Sequence, residues 1–108
     1  MITVEVNGKR LSNPAMWIIR YRNQVGHDVS KDLPKPKVVN GEVVEGEMDI
    51  ATTLTCYAIF RQEADPDAAK KTWEEVVNDE IDPANAPLLF DVTNAVMKLL
   101  RERSDVKN

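Results

Sequence analysis

The chain has 108 residues, too few to build a second independent hydrophobic core, so we expect a single domain over residues 1–108. Hydrophobic residues make up 43% and charged residues 30%, a composition that indicates a folded protein rather than a disordered one. The net charge of −4 and the pI near 5.0 argue against nucleic acid as a partner, because phosphate binding requires clustered Lys and Arg.

The only cysteine is Cys56, which cannot form an internal disulfide and lies in an apolar run, so we expect a buried, inert thiol. The N-terminal residues lack the basic and apolar regions of a secretion signal, and no apolar run approaches the ~20 residues that a membrane span requires. We therefore expect a cytoplasmic protein without a membrane partner.

The N-terminus alternates apolar and polar residues at Ile2, Val4 and Val6 and then reaches Asn7-Gly8. This dipeptide favours a tight hairpin turn because both residues tolerate positive φ. The pattern predicts a short N-terminal strand followed by a turn.

The first helix is predicted over residues 14–25, with Ser12 or Asn13 as N-cap, Pro14 at the first position and Gly26 as the C-terminal stop. One side of this helix carries an apolar stripe that we expect to face the core. Its members are Trp17, Ile18, Tyr21 and Val25.

The segment 33–47 contains Pro34 and Pro36, which prevent a regular helix, and two pairs of valines around Asn40-Gly41. It has the form of a second hairpin, although a mobile loop is equally compatible with the sequence. Because an isolated hairpin is marginally stable, we expect this segment to be ordered only if it packs on the rest of the domain.

Three further helices are predicted. Ile50–Glu63 is apolar all around the helical wheel and should form the central, buried helix. After the break at Asp65-Pro66, a capping box of Thr72 and Glu75 begins a helix over residues 73–81. Asp82-Pro83 ends that helix and is a candidate cap for the next.

The last helix is predicted over residues 87–102 and is followed by a polar tail, residues 104–108. Its buried stripe comprises Leu88, Val92, Ala95, Val96 and Leu99. Taken together, the segments predict a mainly α fold of about four helices with a short N-terminal strand or hairpin.

No residue pattern indicates a catalytic centre, a metal site or a cofactor. His27 stands beside Asp28, but no motif brings a nucleophile near them. One histidine and one cysteine cannot form a zinc site, and the four glycines lack the spacing of a phosphate-binding loop. We therefore predict a protein that is not an enzyme.

Two carboxylate pairs, Glu74-Glu75 and Asp79-Glu80, lie on the short helix 73–81. Paired carboxylates can act as general acid and base, but on a short amphipathic helix they are typical of the solvated face. We expect them to be exposed.

Apolar residues also occur opposite the predicted core stripes. Phe90 and Met97 project together from the last helix, and Met16 and Ile19 lie on the outer side of the first helix. A second helical layer of the same chain could cover each pair, which is the interpretation that we favour. The alternative is that these four residues bind a partner or a second copy of the chain.

The order of these features resembles the tail assembly chaperones of long-tailed bacteriophages and prophages, in pattern over nearly the whole length. The matching features are the strand with Asn7-Gly8-Lys9, the segment from Tyr21-Arg22 through Gly26-His27-Asp28-Val29 to Lys31-Asp32-Leu33, the apolar helix Leu54–Phe60, the capped helix with Trp73-Glu74-Glu75-Val76 and the long C-terminal helix.

This resemblance implies a non-enzymatic protein of the host cytoplasm that binds the tape measure protein and/or tail tube subunits during tail assembly. Amphipathic helix packing would be the means of recognition. The segment from Pro34 to Glu47 departs from the family pattern.

Three other interpretations stay open. The first is a small cytoplasmic regulatory or antitoxin-like protein-binding module, and the second is a structural subunit of an enzyme complex. The third, a DNA-binding helix-turn-helix, ranks last because the only helix with clustered positive charge carries Arg101 and Arg103 at its extreme end.

Overall fold

The computed structural model describes residues 1–44, 46 and 48–105. Within these residues the chain forms five α-helices and two antiparallel hairpins. The strands are β1 (Thr3–Val6), β2 (Lys9–Ser12), β3 (Lys37–Val39) and β4 (Glu42–Val44), and the helices are α1 (Met16–Val25), α2 (Ile50–Ala64), α3 (Pro66–Ala69), α4 (Trp73–Glu80) and α5 (Ala86–Asp105). Helices dominate as predicted, but the prediction of a single N-terminal hairpin was too simple because β3 and β4 form a second one.

The first hairpin forms as its turn dipeptide predicts. Asn7 and Gly8 adopt φ of 51° and 76°, and the turn aligns Val6 with Lys9. Alternation along the strands turns Val6 and Leu11 toward the core, where both are buried.

The predicted start of α1 was wrong. The helix begins at Met16 after Ala15, which makes no side-chain capping bond. Asn13 instead joins the two ends of the chain: its Oδ1 accepts from the Ile2 backbone N–H at 2.7 Å, and its Nδ2 donates to the Leu99 carbonyl at 2.8 Å. The predicted stop is confirmed, since Gly26 ends the helix with φ of 99°.

The segment 33–47 contains a hairpin rather than an irregular loop over its described residues. Strands β3 and β4 pair around Asn40-Gly41, both with positive φ. The valines at 38, 39, 43 and 44 are all exposed, so the hairpin does not bury them against the rest of the domain. Cross-strand pairing and the turn define the hairpin. The ends of the segment lie beside α5, where Pro34, Pro36 and Gly46 line a cleft with Met97 and Arg101.

The central position predicted for α2 is confirmed. It packs against α1, β2, α4 and α5, and its aromatic residues Tyr57 and Phe60 are buried. Trp17 of α1 meets Phe60 edge to face with ring centroids 5.0 Å apart. Asp49, which the sequence analysis did not identify, caps the helix by accepting from the Thr52 N–H at 2.7 Å.

The predicted capping box is confirmed: Thr72 and Glu75 exchange hydrogen bonds at the start of α4. The predicted break at Asp65-Pro66 is itself the start of the short helix α3, which Asp65 caps. Helix α4 ends one residue earlier than predicted, and Ile81 follows as a buried residue.

Helix α5 begins at Ala86 and continues to Asp105, beyond the predicted end at 102. Asn85 caps it by accepting from the Leu88 N–H at 3.1 Å, whereas Asp82 binds the Ala84 N–H in the preceding turn. The predicted core stripe is buried throughout, at Leu88, Val92, Ala95, Val96 and Leu99. The remainder of the predicted polar tail, residues 106–108, lies outside the described residues.

Candidate protein-binding surfaces

Met16 and Ile19 lie on the outer side of α1, because Trp17 and Tyr21 occupy its buried side. Their exposed fractions are 58% and 51%, so no second helical layer of the described residues covers them and the interpretation that we favoured was wrong for this pair. They share one groove of about 360 Å³, whose lining is Met16, Ile19, Arg20, Asn23, Gln24 and Glu63.

Polar contacts fix the rim of this groove. Arg20 Nε lies 3.0 Å from Glu63 Oε2, which ties α1 to the end of α2. Gln24 and Gln62 bond through their side-chain amides at 2.8 Å, and Gln24 Oε1 also accepts from the Trp73 N–H at 3.3 Å. The polar residues of the groove are therefore tied to three helices, and the groove combines two exposed apolar side chains with charged and amide groups.

Phe90 is the most exposed large aromatic side chain of the described residues, with 67% of its surface accessible. It lies opposite Val92, which is fully buried. No second layer within the described part of the chain covers Phe90, so the interpretation that such a layer covers it was wrong.

Met97 has a different environment from Phe90. It is half-buried and lines a mainly apolar cleft of about 190 Å³ with Pro34, Pro36, Gly46 and Arg101. Gly46 lies so close to the backbone of Lys35 that a Cβ at position 46 would be 2.6 Å from the Lys35 carbonyl oxygen. This contact brings the two ends of the proline-flanked segment together. The proline-flanked segment thus lies beside Met97 and leaves Phe90 open.

The second hairpin carries apolar surface that the sequence analysis did not assign to binding. Val38 and Val43 are cross-strand partners on one face, and each is 74% exposed. Val39 and Val44 are on the other face and are about half exposed. The two pairs of valines around Asn40-Gly41 were the available signal, but adjacent valines point to opposite faces of a strand and do not reveal which face is covered.

Arg61 forms a buried polar cluster between α2, α4 and the first hairpin, which the sequence analysis missed. Its guanidinium lies 2.7 Å from Glu80 Oε1, donates to Asp65 Oδ2 at 2.9 Å and donates to the Arg10 carbonyl at 2.8 Å. Tyr57 also donates to Glu80 Oε1, at 2.8 Å. The expectation that Glu80 belongs to the solvated face was wrong, because only 9% of its side chain is exposed.

The charges in this cluster compensate one another. Burial opposes ionisation of Glu80, but the hydrogen bonds from Arg61 and Tyr57 outweigh it and hold the pKa of the carboxyl below its ordinary value. Burial and the bond to Glu80 raise the pKa of the Tyr57 phenol. Since every group of the cluster already has partners within the chain, its geometry is that of a structural network.

His27 does not pair with Asp28, its neighbour in sequence. Its Nε2 lies 2.6 Å from Asp32 Oδ2, which also accepts from the Tyr21 hydroxyl at 2.6 Å. The hydrogen bond from Tyr21 lowers the pKa of Asp32, and the contact with His27 acts in the same direction against burial. This cluster fixes the 3-10 turn Val29–Lys31 onto α1.

Cys56 is fully buried, as predicted, and burial raises the pKa of its thiol to about 12. A thiol that stays protonated at neutral pH is a poor nucleophile.

Comparison with known proteins finds no matching family model, no matching curated protein and no matching solved structure. Within the described part of the chain, no helix combines the length and the apolar character that crossing a membrane requires.

Proposed function

We propose that this chain is a non-enzymatic tail assembly chaperone of a long-tailed phage or prophage, which binds the tape measure protein and/or tail tube subunits in the host cytoplasm. The observation that supports it best is the groove on α1, where two large apolar side chains, Met16 and Ile19, are exposed above a well-packed core. The resemblance to the tail assembly chaperones is the reason for naming these partners.

The groove suits an amphipathic helix as ligand. Met16 and Ile19 are three residues apart and form one apolar strip along α1, the spacing at which helix side chains act as neighbours. The Arg20–Glu63 pair and Asn23 border the strip with groups that can bond to the polar flank of a helix. An apolar centre with a polar rim is the usual anatomy of a protein interface.

The test is co-expression with the longest predicted helical protein encoded beside this chain, followed by size-exclusion chromatography with mass detection. We expect the long protein to become soluble and to co-elute. The double variant Met16→Asp/Ile19→Asp should lose co-elution, with binding weakened at least about tenfold, because each charge would be desolvated in the interface.

Val38→Asp/Val43→Asp is the matched control, since it introduces the same two charges on the second hairpin, and we expect it to co-elute normally. If the wild-type chain elutes alone and the long protein stays insoluble, the chaperone function is refuted and the regulatory-module hypothesis becomes the better one. If the control variant loses binding while the α1 variant keeps it, the groove is the wrong surface.

A further inference from the structure

The outer edge of β1 offers unpaired backbone groups. In a hairpin with a two-residue turn, Val6 and Lys9 exchange both ladder hydrogen bonds, and bonded pairs then alternate along the strands. Val4 therefore bonds to β2, whereas the N–H and C=O groups of Thr3 and Glu5 point away from β2. A strand edge of this kind can accept another extended strand.

Helix α5 lies beside this edge and forms the second wall of a cleft of about 540 Å³. The helix contributes Asp91, Asn94, Ala95 and Lys98 to the cleft. Asp91 and Lys98 are exposed, carry opposite charges and are separated by seven residues, or about 10 Å along the helix. Asn94 and Ala95 lie midway between them.

We propose that this cleft is the interface of a two-fold symmetric homodimer, in which β1 of a second copy adds antiparallel to β1. With the axis at Val4, Thr3 lies opposite Glu5 of the second copy and four backbone hydrogen bonds can form. The register centred on Glu5 would set two carboxylates against each other, which disfavours it. The result is one continuous four-stranded sheet built from two hairpins.

The charges on α5 favour a second copy over an unrelated strand. If the two-fold axis passes midway between Asp91 and Lys98, Asp91 of one copy lies opposite Lys98 of the second copy. Lys98 of the first copy then lies opposite Asp91 of the second. The charge pattern on α5 is therefore complementary to the same pattern on the second copy, as an isologous interface requires. This dimer uses a surface separate from the α1 groove and does not depend on the proposed chaperone function.

The experiment measures the mass of the chain by sedimentation equilibrium over a wide concentration range. The wild type should reach twice its 12.2 kDa monomer mass. Asp91→Lys and Lys98→Asp should each raise the dimer dissociation constant at least about tenfold, because each variant faces like charge with like. Mixing the two variants should restore a dimer, since one carries two lysines and the other two aspartates at these positions.

Two controls make the test specific. Glu74→Lys on the exposed face of α4 changes the net charge as Asp91→Lys does, and it should dimerise like the wild type and should not rescue Lys98→Asp. Glu5→Pro should abolish dimerisation, because it removes a backbone N–H that points away from β2 and does not bond to β2. Glu5→Thr keeps this N–H and should still dimerise. A wild type that stays monomeric, or a dimer that none of these variants weakens, overturns the proposal.

Discussion

Arg61 of α2 and Glu80 of α4 form an ion pair at 2.7 Å in which less than a tenth of either side chain is exposed. The pair joins two helices through residues 19 positions apart, and Arg61 also donates to the carbonyl of Arg10 in β2. Three elements of the fold thus meet at one guanidinium. The removal of one partner would leave a buried charge without its main compensation.

Glu80→Ala should lower the free energy of unfolding by about 3 kcal/mol, because it leaves the Arg61 guanidinium buried and short of a partner and removes the acceptor of Tyr57. Urea denaturation followed by circular dichroism measures this change. Asp79→Ala is the matched control, since Asp79 pairs with Lys71 on the surface and should cost less than about 1 kcal/mol. Equal losses in the two variants would contradict the structural role of the cluster.

The same carboxyl should make the fold sensitive to acid. The pKa of Glu80 in the folded protein lies below its ordinary value near 4.5, so its contribution to stability is complete above that pH and is lost as pH falls below it. Urea midpoints measured from neutral pH down through this range should therefore fall for the wild type. Glu80→Gln should show a flatter acid profile from a lower starting stability, whereas Asp79→Asn should follow the wild type in shape.

Asn13→Ala should destabilise the protein by about 2 kcal/mol, because it leaves the Ile2 N–H and the Leu99 carbonyl without their side-chain partner. The same substitution at Asn23, which is exposed on α1, should change stability by less than about 0.5 kcal/mol. Thermal unfolding of the two variants under one set of conditions compares them directly. If Asn13→Ala is neutral, the link between the N-terminal strand and α5 is not a stabilising one.

Asn13 also illustrates which parts of the fold could be predicted from the sequence. Turn dipeptides, capping boxes and helical stripes depend on residues a few positions apart, so the Asn7-Gly8 turn, the Thr72–Glu75 box and the central helix α2 were predicted correctly. The role of Asn13 depends on Leu99, 86 residues away, and no local pattern carries that information. A short polar residue before a helix looks like a cap until tertiary packing gives it another partner.

The candidate surfaces have the same limit. A helical wheel revealed that Phe90 and the Val92 stripe lie on opposite sides of α5, but it could not tell which other element covers which side. Glu80 was expected on the solvated face and Arg61 was not singled out, because their partners come from other elements of the chain. Exposure and burial depend on how the elements pack together. The sequence could therefore identify two apolar sides of a helix, but it could not show which side is buried and which is exposed.

The contrast between Phe90 and Val92 gives the last prediction. Phe90→Asp should change the free energy of unfolding by less than about 0.5 kcal/mol, because its side chain is mostly in solvent already. Val92→Asp should unfold the domain or cost at least about 3 kcal/mol, since it buries a charge in the α5 core stripe without a partner. Urea denaturation and near-ultraviolet circular dichroism measure both. Comparable destabilisation by Phe90→Asp would mean that Phe90 is covered in solution and is not available as a partner-binding residue.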